Sequence, residues 1–131
     1  MDVNQPFAIA HEVENGWVRI ELAGPITVET VVAMTIAARD VGRERDCRYW
    51  IADYTRTQVL DSTTDIFGYS SRLDRLGIER DDVIAVVVAS DLEKHAFAET
   101  VFHNRGYPNL QYFHDMESAE AWIRQRQERP V

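Results

Sequence analysis

The run Val83 to Ala89, VIAVVVA, limits the folds open to this chain more than any other stretch. It is far shorter than the ~20 apolar residues a membrane span needs. An apolar run without alternation is the pattern of a strand covered on both faces, and such strands belong to parallel sheets flanked by helices. The segments on either side agree, because strand-like and helix-like patterns alternate along the chain.

FAIAHEV at 7–13 reads as a strand, and Glu14-Asn15-Gly16 as the turn of a hairpin, since Asn and Gly both tolerate positive φ. WVRIEL at 17–22 alternates, with Trp17, Arg19 and Glu21 on one face and Val18, Ile20 and Leu22 on the other. Gly24-Pro25 is expected to end that strand. Thr27 can cap a first helix carrying Val28, Val31, Val32, Ile36 and Ala37, with Gly42 as its left-handed C-cap and GRERDCR as a charged loop beyond. Arg48 to Tyr54 predicts a central strand followed by a polar loop. A second helix starts at Asp61-Ser62, with Ile66, Tyr69, Leu73 and Leu76 as its apolar stripe and Gly77 closing it. Ser90 and Glu93 form a capping box for a third helix, Asp91 to Arg105, stopped by Gly106 and Pro108. LQYFH at 110–114 is a short strand. The last helix spans about Glu117 to Arg126, with Ala119, Ala121, Trp122 and Ile123 available for burial and Asp115 as its cap.

The predicted order is ββαβαβαβα. It describes an α/β fold with a mixed, mostly parallel five-stranded sheet and about four helices, in one domain over residues 1–131. A formal net charge of -8 disfavours phosphate backbones and anionic lipid surfaces, so no nucleic-acid partner is expected. Arg124, Arg126 and Arg129 near the end suit a helix C-terminus without further explanation. The N-terminal MDVNQPFAIAHEVE has no basic region before an apolar one, and Cys47 is the sole cysteine. A cytoplasmic protein, neither secreted nor integral to a membrane, is expected.

GxGxxG, GxxxxGK[ST], HExxH and GxSxG are all absent, and nothing pairs a nucleophile with a base. No catalytic residue, cofactor or metal site is assigned, and the chain reads as a non-enzyme. Glu99 and His103, four apart, share a helix face as a surface pair, because a metal would need further ligands. Cys47 between Arg45 and Arg48 reads as an unreactive loop cysteine. The junction after the central strand is different. Asp53 falls late in the strand, near the carboxyl ends of the sheet where ligands gather. Asp61-Ser62-Thr63-Thr64-Asp65 then opens a helix. Ser62 as cap and the carboxylates as dipole partners account for these residues on their own. The functional alternative is a phosphate on Thr63 or Ser62, favoured by the dipole and opposed by Asp61 and Asp65.

The element order and this spacing resemble the STAS domain of bacterial anti-sigma factor antagonists of the SpoIIAA type. In that family a strand ends in Asp, and eight residues later Asp-Ser-[Ser/Thr]-Gly-Leu starts a helix. Here Asp53 precedes Asp61-Ser62-Thr63 by eight residues, and Thr64-Asp65 stands where the family has Gly-Leu. The resemblance implies a regulatory protein partner, a binding surface at Asp53, Asp61, Thr64 and Asp65, and a phospho-acceptor at Thr63. VIAVVVASDLEKHAF and YFHDMESAEAWI are similar to a SpoIIAA-like branch that also resembles lipid-binding domains of the CRAL-TRIO type. That implies a small apolar ligand, with Phe67, Tyr69, Phe97, Phe102, Tyr112 and Trp122 as pocket residues, although helical spacing also explains most of these as core. Trp17 and Trp50, if exposed, would form a patch suited to a homodimer.

Overall fold

The computed structural model describes residues 7–59, 75–89, 99–104 and 106–128, and only the backbone of residues 58 and 59. Five strands form one sheet: β1 (Phe7–Glu12), β2 (Trp17–Ile26), β3 (Tyr49–Val59), β4 (Val83–Val87) and β5 (Leu110–Phe113). They lie side by side in sequence order, β1 antiparallel to β2 and every later pair parallel. Among the described residues the helices are α1 (Val28–Glu44), α2 (residues 99–104) and α3 (Met116–Glu128). The predicted mixed sheet and α/β class are therefore present, with three described helices against about four expected. The start of the second predicted helix and the Ser90–Glu93 box lie outside the described residues.

Each crossover joins neighbouring strands, and right-handed crossovers between neighbours put their helices on one face. Met34 and Ala38 of α1 accordingly pack on Val18, Ile20, Leu22, Trp50 and Ala52. Phe102 of α2 packs with Ile78 and Leu110 farther along the same face. The helix α3 crosses the other face, where Ala119 and Ile123 meet Trp17, Ile51, Ala85 and Val87. The strand β4 is thus covered on both sides, as its unbroken apolar sequence requires. Trp17 and Trp50 are 0% and 3% exposed, so neither forms the surface patch that a homodimer was to cover.

Four local expectations need correction. The hairpin loop spans residues 13–16, and only Gly16 takes positive φ, at 76°; Asn15 instead donates its side-chain amide to Glu12. Gly24-Pro25 does not stop β2, which continues to Ile26. Among the described residues pairing with β1 ends at Phe7↔Leu22, so no described strand flanks Pro25 on its outer side, the setting in which a sheet tolerates proline. The predicted polar loop after Tyr54 is strand as far as Val59, paired with β2. Gly42 is no C-cap, because α1 runs on to Glu44. A Cβ there would lie 2.3 Å from Trp50 Cζ2, so the glycine serves the approach of helix to indole. The buried face of α1 is correspondingly Met34, Thr35, Ala38 and Gly42, rotated from the predicted valine stripe.

Candidate functional site

Asp53 lies opposite Val87, the last residue of β4, and so at the carboxyl end of the parallel strands. Its pairing with β2 shifts register here: Glu21 faces Asp53 and Ala23 faces Arg56, leaving Tyr54 and Thr55 against Leu22 alone. That is a β-bulge, which bends the strand and leaves backbone groups to be satisfied locally. The Asp53 carboxylate supplies the acceptor. Its Oδ1 accepts the Thr55 backbone N–H at 2.8 Å and the Thr55 hydroxyl at 2.6 Å. Thr57 Oγ1 donates to the Tyr54 carbonyl at 2.7 Å. Asp53 therefore shapes the strand end at which the sequence placed a binding surface. Thr63, Ser62, Asp61, Thr64 and Asp65 lie outside the described residues.

The second predicted feature, an apolar pocket, has its described part between α1, the sheet and Phe102. A cavity of about 80 Å³ is bounded there by Met34, Trp50, Ala52, Ile84, Phe102 and Tyr112 among others. Its few polar groups are engaged: Thr35 Oγ1 donates to Val31 O at 2.7 Å, Trp50 Nε1 to Ala38 O at 2.9 Å, and Arg39 Nη1 to Leu76 O. Phe102 and Tyr112 are thus brought together. Trp122 is not with them. It sits on the opposite face, its ring 5.4 Å from that of Phe113 and under the Arg126 guanidinium at 5.2 Å. Phe67, Tyr69 and Phe97 lie outside the described residues.

Glu99 and His103 share a face as their spacing requires, and they are more than a surface pair. Glu99 Oε2 accepts the Tyr112 N–H at 3.0 Å, and His103 Nε2 hydrogen-bonds Leu110 O at 2.9 Å. Asn109 O and Phe113 O point the other way, to β4. The helix thereby answers the outward backbone groups of the edge strand β5, a row that edge strands otherwise leave open. Strand periodicity alone could not reveal this, since it depends on which helix reaches the edge.

Several charged groups elsewhere are paired. Arg43 Nη2 meets the buried Asp82 carboxylate at 2.9 Å, and Asp82 also accepts the Glu79 N–H. Arg48 binds Glu79 and Asp81. These three carboxylates lie close enough to suggest a metal, but two arginines already answer them. On the α3 face, Arg19 bridges Glu12 at 2.8 Å and Glu120 at 2.9 Å. Its guanidinium holds the Glu12 carboxyl below its usual range. Cys47 is buried, its thiol donating to Gly16 O and Tyr49 O, and burial pushes its pKa up, as expected of an unreactive cysteine. Asp115 caps α3 as predicted, accepting the Ser118 N–H at 2.7 Å.

No family model and no curated protein matches this sequence. Several solved structures are similar to it, two of which follow. One is an uncharacterized protein from the DUF3478 family with a SpoIIAA-like fold, from Shewanella loihica PV-4. It is 17% identical with a TM-score of 0.57, over 94% of this chain and 98% of that one. The other is the anti-sigma factor antagonist SpoIIAA in its unphosphorylated form, 20% identical with a TM-score of 0.51, over 91% of this chain and 96% of that one. The likeness spans nearly the whole of each chain: the protein has the SpoIIAA-like fold.

Proposed function

We propose that this chain is a non-enzymatic, cytoplasmic regulatory domain that docks a partner protein at the carboxyl end of its parallel strands. The surface comprises Asp53 and the segment Asp61-Ser62-Thr63-Thr64-Asp65, with Thr63, or Ser62 beside it, as phospho-acceptor. The observation that carries the reading is Asp53 held in the bulge at that end of the sheet, eight residues before Asp61. A structure of the same fold is that of an anti-sigma factor antagonist described in its unphosphorylated form, which supports a regulatory role. Added phosphate would change charge and shape together, as a binding switch requires. No helix among the described residues is long and apolar enough to cross a membrane, and the free, buried Cys47 fits a reducing compartment.

The test is mass spectrometry of the protein from its own host, followed by affinity measurement with the partner recovered by cross-linking. Phosphate at Thr63 or Ser62, and weakened binding by Thr63→Glu, is the expected result. Asp53→Asn keeps the Oδ1 acceptor for Thr55 and removes only the charge, so its effect is separable from loss of the bulge in Asp53→Ala. A partner that binds wild type, Thr63→Glu and Asp53→Asn equally overturns the proposal.

The apolar cavity favours a second reading, a small apolar ligand carried between α1 and the sheet. Its described volume, about 80 Å³, is well below the ~300–1,000 Å³ of ordinary ligand pockets, which makes it the lesser reading. A lipid-sized adduct in native mass spectra, lost on denaturation, would reverse that ranking.

A further inference from the structure

At the amino-terminal ends of β3 and β4, the far end of the sheet from Asp53, the surface forms a groove of about 630 Å³. This is within the size range of small-molecule sites. Three guanidinium groups, from Arg45, Arg48 and Arg126, line it with the imidazole of His11, against the carboxylates of Asp46 and Asp81. In a chain of net charge -8 that is a local reversal of sign. Arg48 is already committed to Glu79 and Asp81, which also answers the Asp81 charge. Arg45 and Arg126 are exposed, and neither has a carboxylate partner among the described residues. Arg126 comes from the last turn of α3 and is steadied on the Trp122 ring; Arg45 comes from the end of α1. Two unrelated elements therefore bring arginines without a carboxylate partner among the described residues to one groove. Tyr49 and Val83 supply an apolar wall.

We propose that this groove binds a small phosphate-bearing anion, free phosphate or a phosphomonoester. Arg45 and Arg126 hold its oxygens. Guanidinium is the group for this task, since its planar fork matches two phosphate oxygens at once. The site is independent of the partner surface around Asp53, and neither reading depends on the other.

Isotope-labelled protein is titrated with inorganic phosphate and, separately, with glycerol 3-phosphate, at constant pH and ionic strength. Backbone amide, arginine Nε–H and imidazole signals are followed. Saturable shifts confined to His11, Arg45 to Tyr49 and Arg126 are expected. Arg45→Gln and Arg126→Gln should each weaken binding about tenfold or more, the usual loss for a charge-assisted hydrogen bond. Both positions are exposed, and unchanged melting temperatures will show that the variants fold. Tighter binding of glycerol 3-phosphate identifies an organic ester as the ligand, and equal binding identifies phosphate itself. Shifts that fail to saturate, spread over the surface or persist in both arginine variants overturn the proposal.

Discussion

Substituting Gly42 by alanine should destabilise the protein, although the same change in most helices does the opposite. Gly42 lies inside α1. An interior Gly→Ala ordinarily gains about 0.8–1.0 kcal/mol in helix propensity. Here the new Cβ would sit 2.3 Å from Trp50 Cζ2, 2.9 Å from Trp50 Cε2 and 3.0 Å from the Cys47 carbonyl oxygen. Ordinary carbon contacts fall near 3.5–4.0 Å, so the overlap exceeds about 1 Å. Trp50 cannot swing away freely, being 3% exposed, with its Nε1 donating to Ala38 O and the Arg43 guanidinium over its ring. Overpacking of this kind costs roughly 1–3 kcal/mol, and losing the indole hydrogen bond a further ~0.5–1.5 kcal/mol. Set against the propensity gain, the net loss is about 1–3 kcal/mol, or roughly 3–10 °C in melting temperature for a chain of this length. Urea and thermal unfolding followed by far-ultraviolet circular dichroism measure it. Trp50→Phe should remove much of the overlap, so Gly42→Ala should cost less in that background. A single variant as stable as wild type or more so, or no coupling between positions 42 and 50, would refute the reasoning.

Three further outcomes are expected. The folded Glu12 carboxyl titrates below its ordinary 4.5, because Arg19 donates to it. Its contribution is complete above the unfolded value and is lost as pH falls through the folded one, so Glu12→Gln should flatten the acid side of the stability profile in denaturant midpoints measured between about pH 6 and pH 3. An unchanged acid slope would show the pair contributes nothing. Cys47 should react with a disulfide reagent far more slowly in native protein than in guanidinium, since its thiol is buried and hydrogen-bonded to two carbonyls; equal rates would contradict the burial. Glu99→Ala should cost about 1 kcal/mol, with the Tyr112 amide exchanging roughly fivefold faster, because the outer edge of β5 loses its acceptor. Tyr112 protection unchanged by the substitution would mean that α2 does not hold that edge.

What could be read from the sequence, and what could not, divides by the range of the physics involved. Val83 to Val87 announced a buried parallel strand because coverage of both faces is written into every residue of the run. Alternation in WVRIEL assigned its two faces correctly, as Trp17 with the α3 cluster and Val18 with the α1 cluster show. The caps at Thr27 and Asp115 are likewise local bonds between residues three apart. Failures fell where a local signal had a distant cause. Gly24-Pro25 reads as punctuation, yet β2 runs through it to Ile26, held there by pairing with the distant strand β3. Gly42 reads as a cap, yet its reason is an indole on the next strand. The aromatic residues show the same limit for the candidate site. Phe102, Tyr112 and Trp122 are equally apolar in sequence, but α2 and α3 approach the sheet from opposite faces, so of these three Phe102 and Tyr112 share a cavity and Trp122 does not.

The two ends of the sheet differ in the same way. Asp53 could be nominated because an aspartate late in a predicted strand, eight residues before a predicted helix start, is a short-range pattern. Its bulge was not, because that needs the register against β2. The basal groove left no motif at all: His11, Arg45 and Arg126 are separated by most of the chain, and only the crossing of α3 over one face and the end of α1 on the other brings their groups to one opening. A site assembled from the ends of three elements is invisible to spacing, whereas a site at one strand–helix junction is not. For this fold, then, short motifs can nominate the carboxyl end of the sheet, and the amino end has to be searched by the balance of its charges.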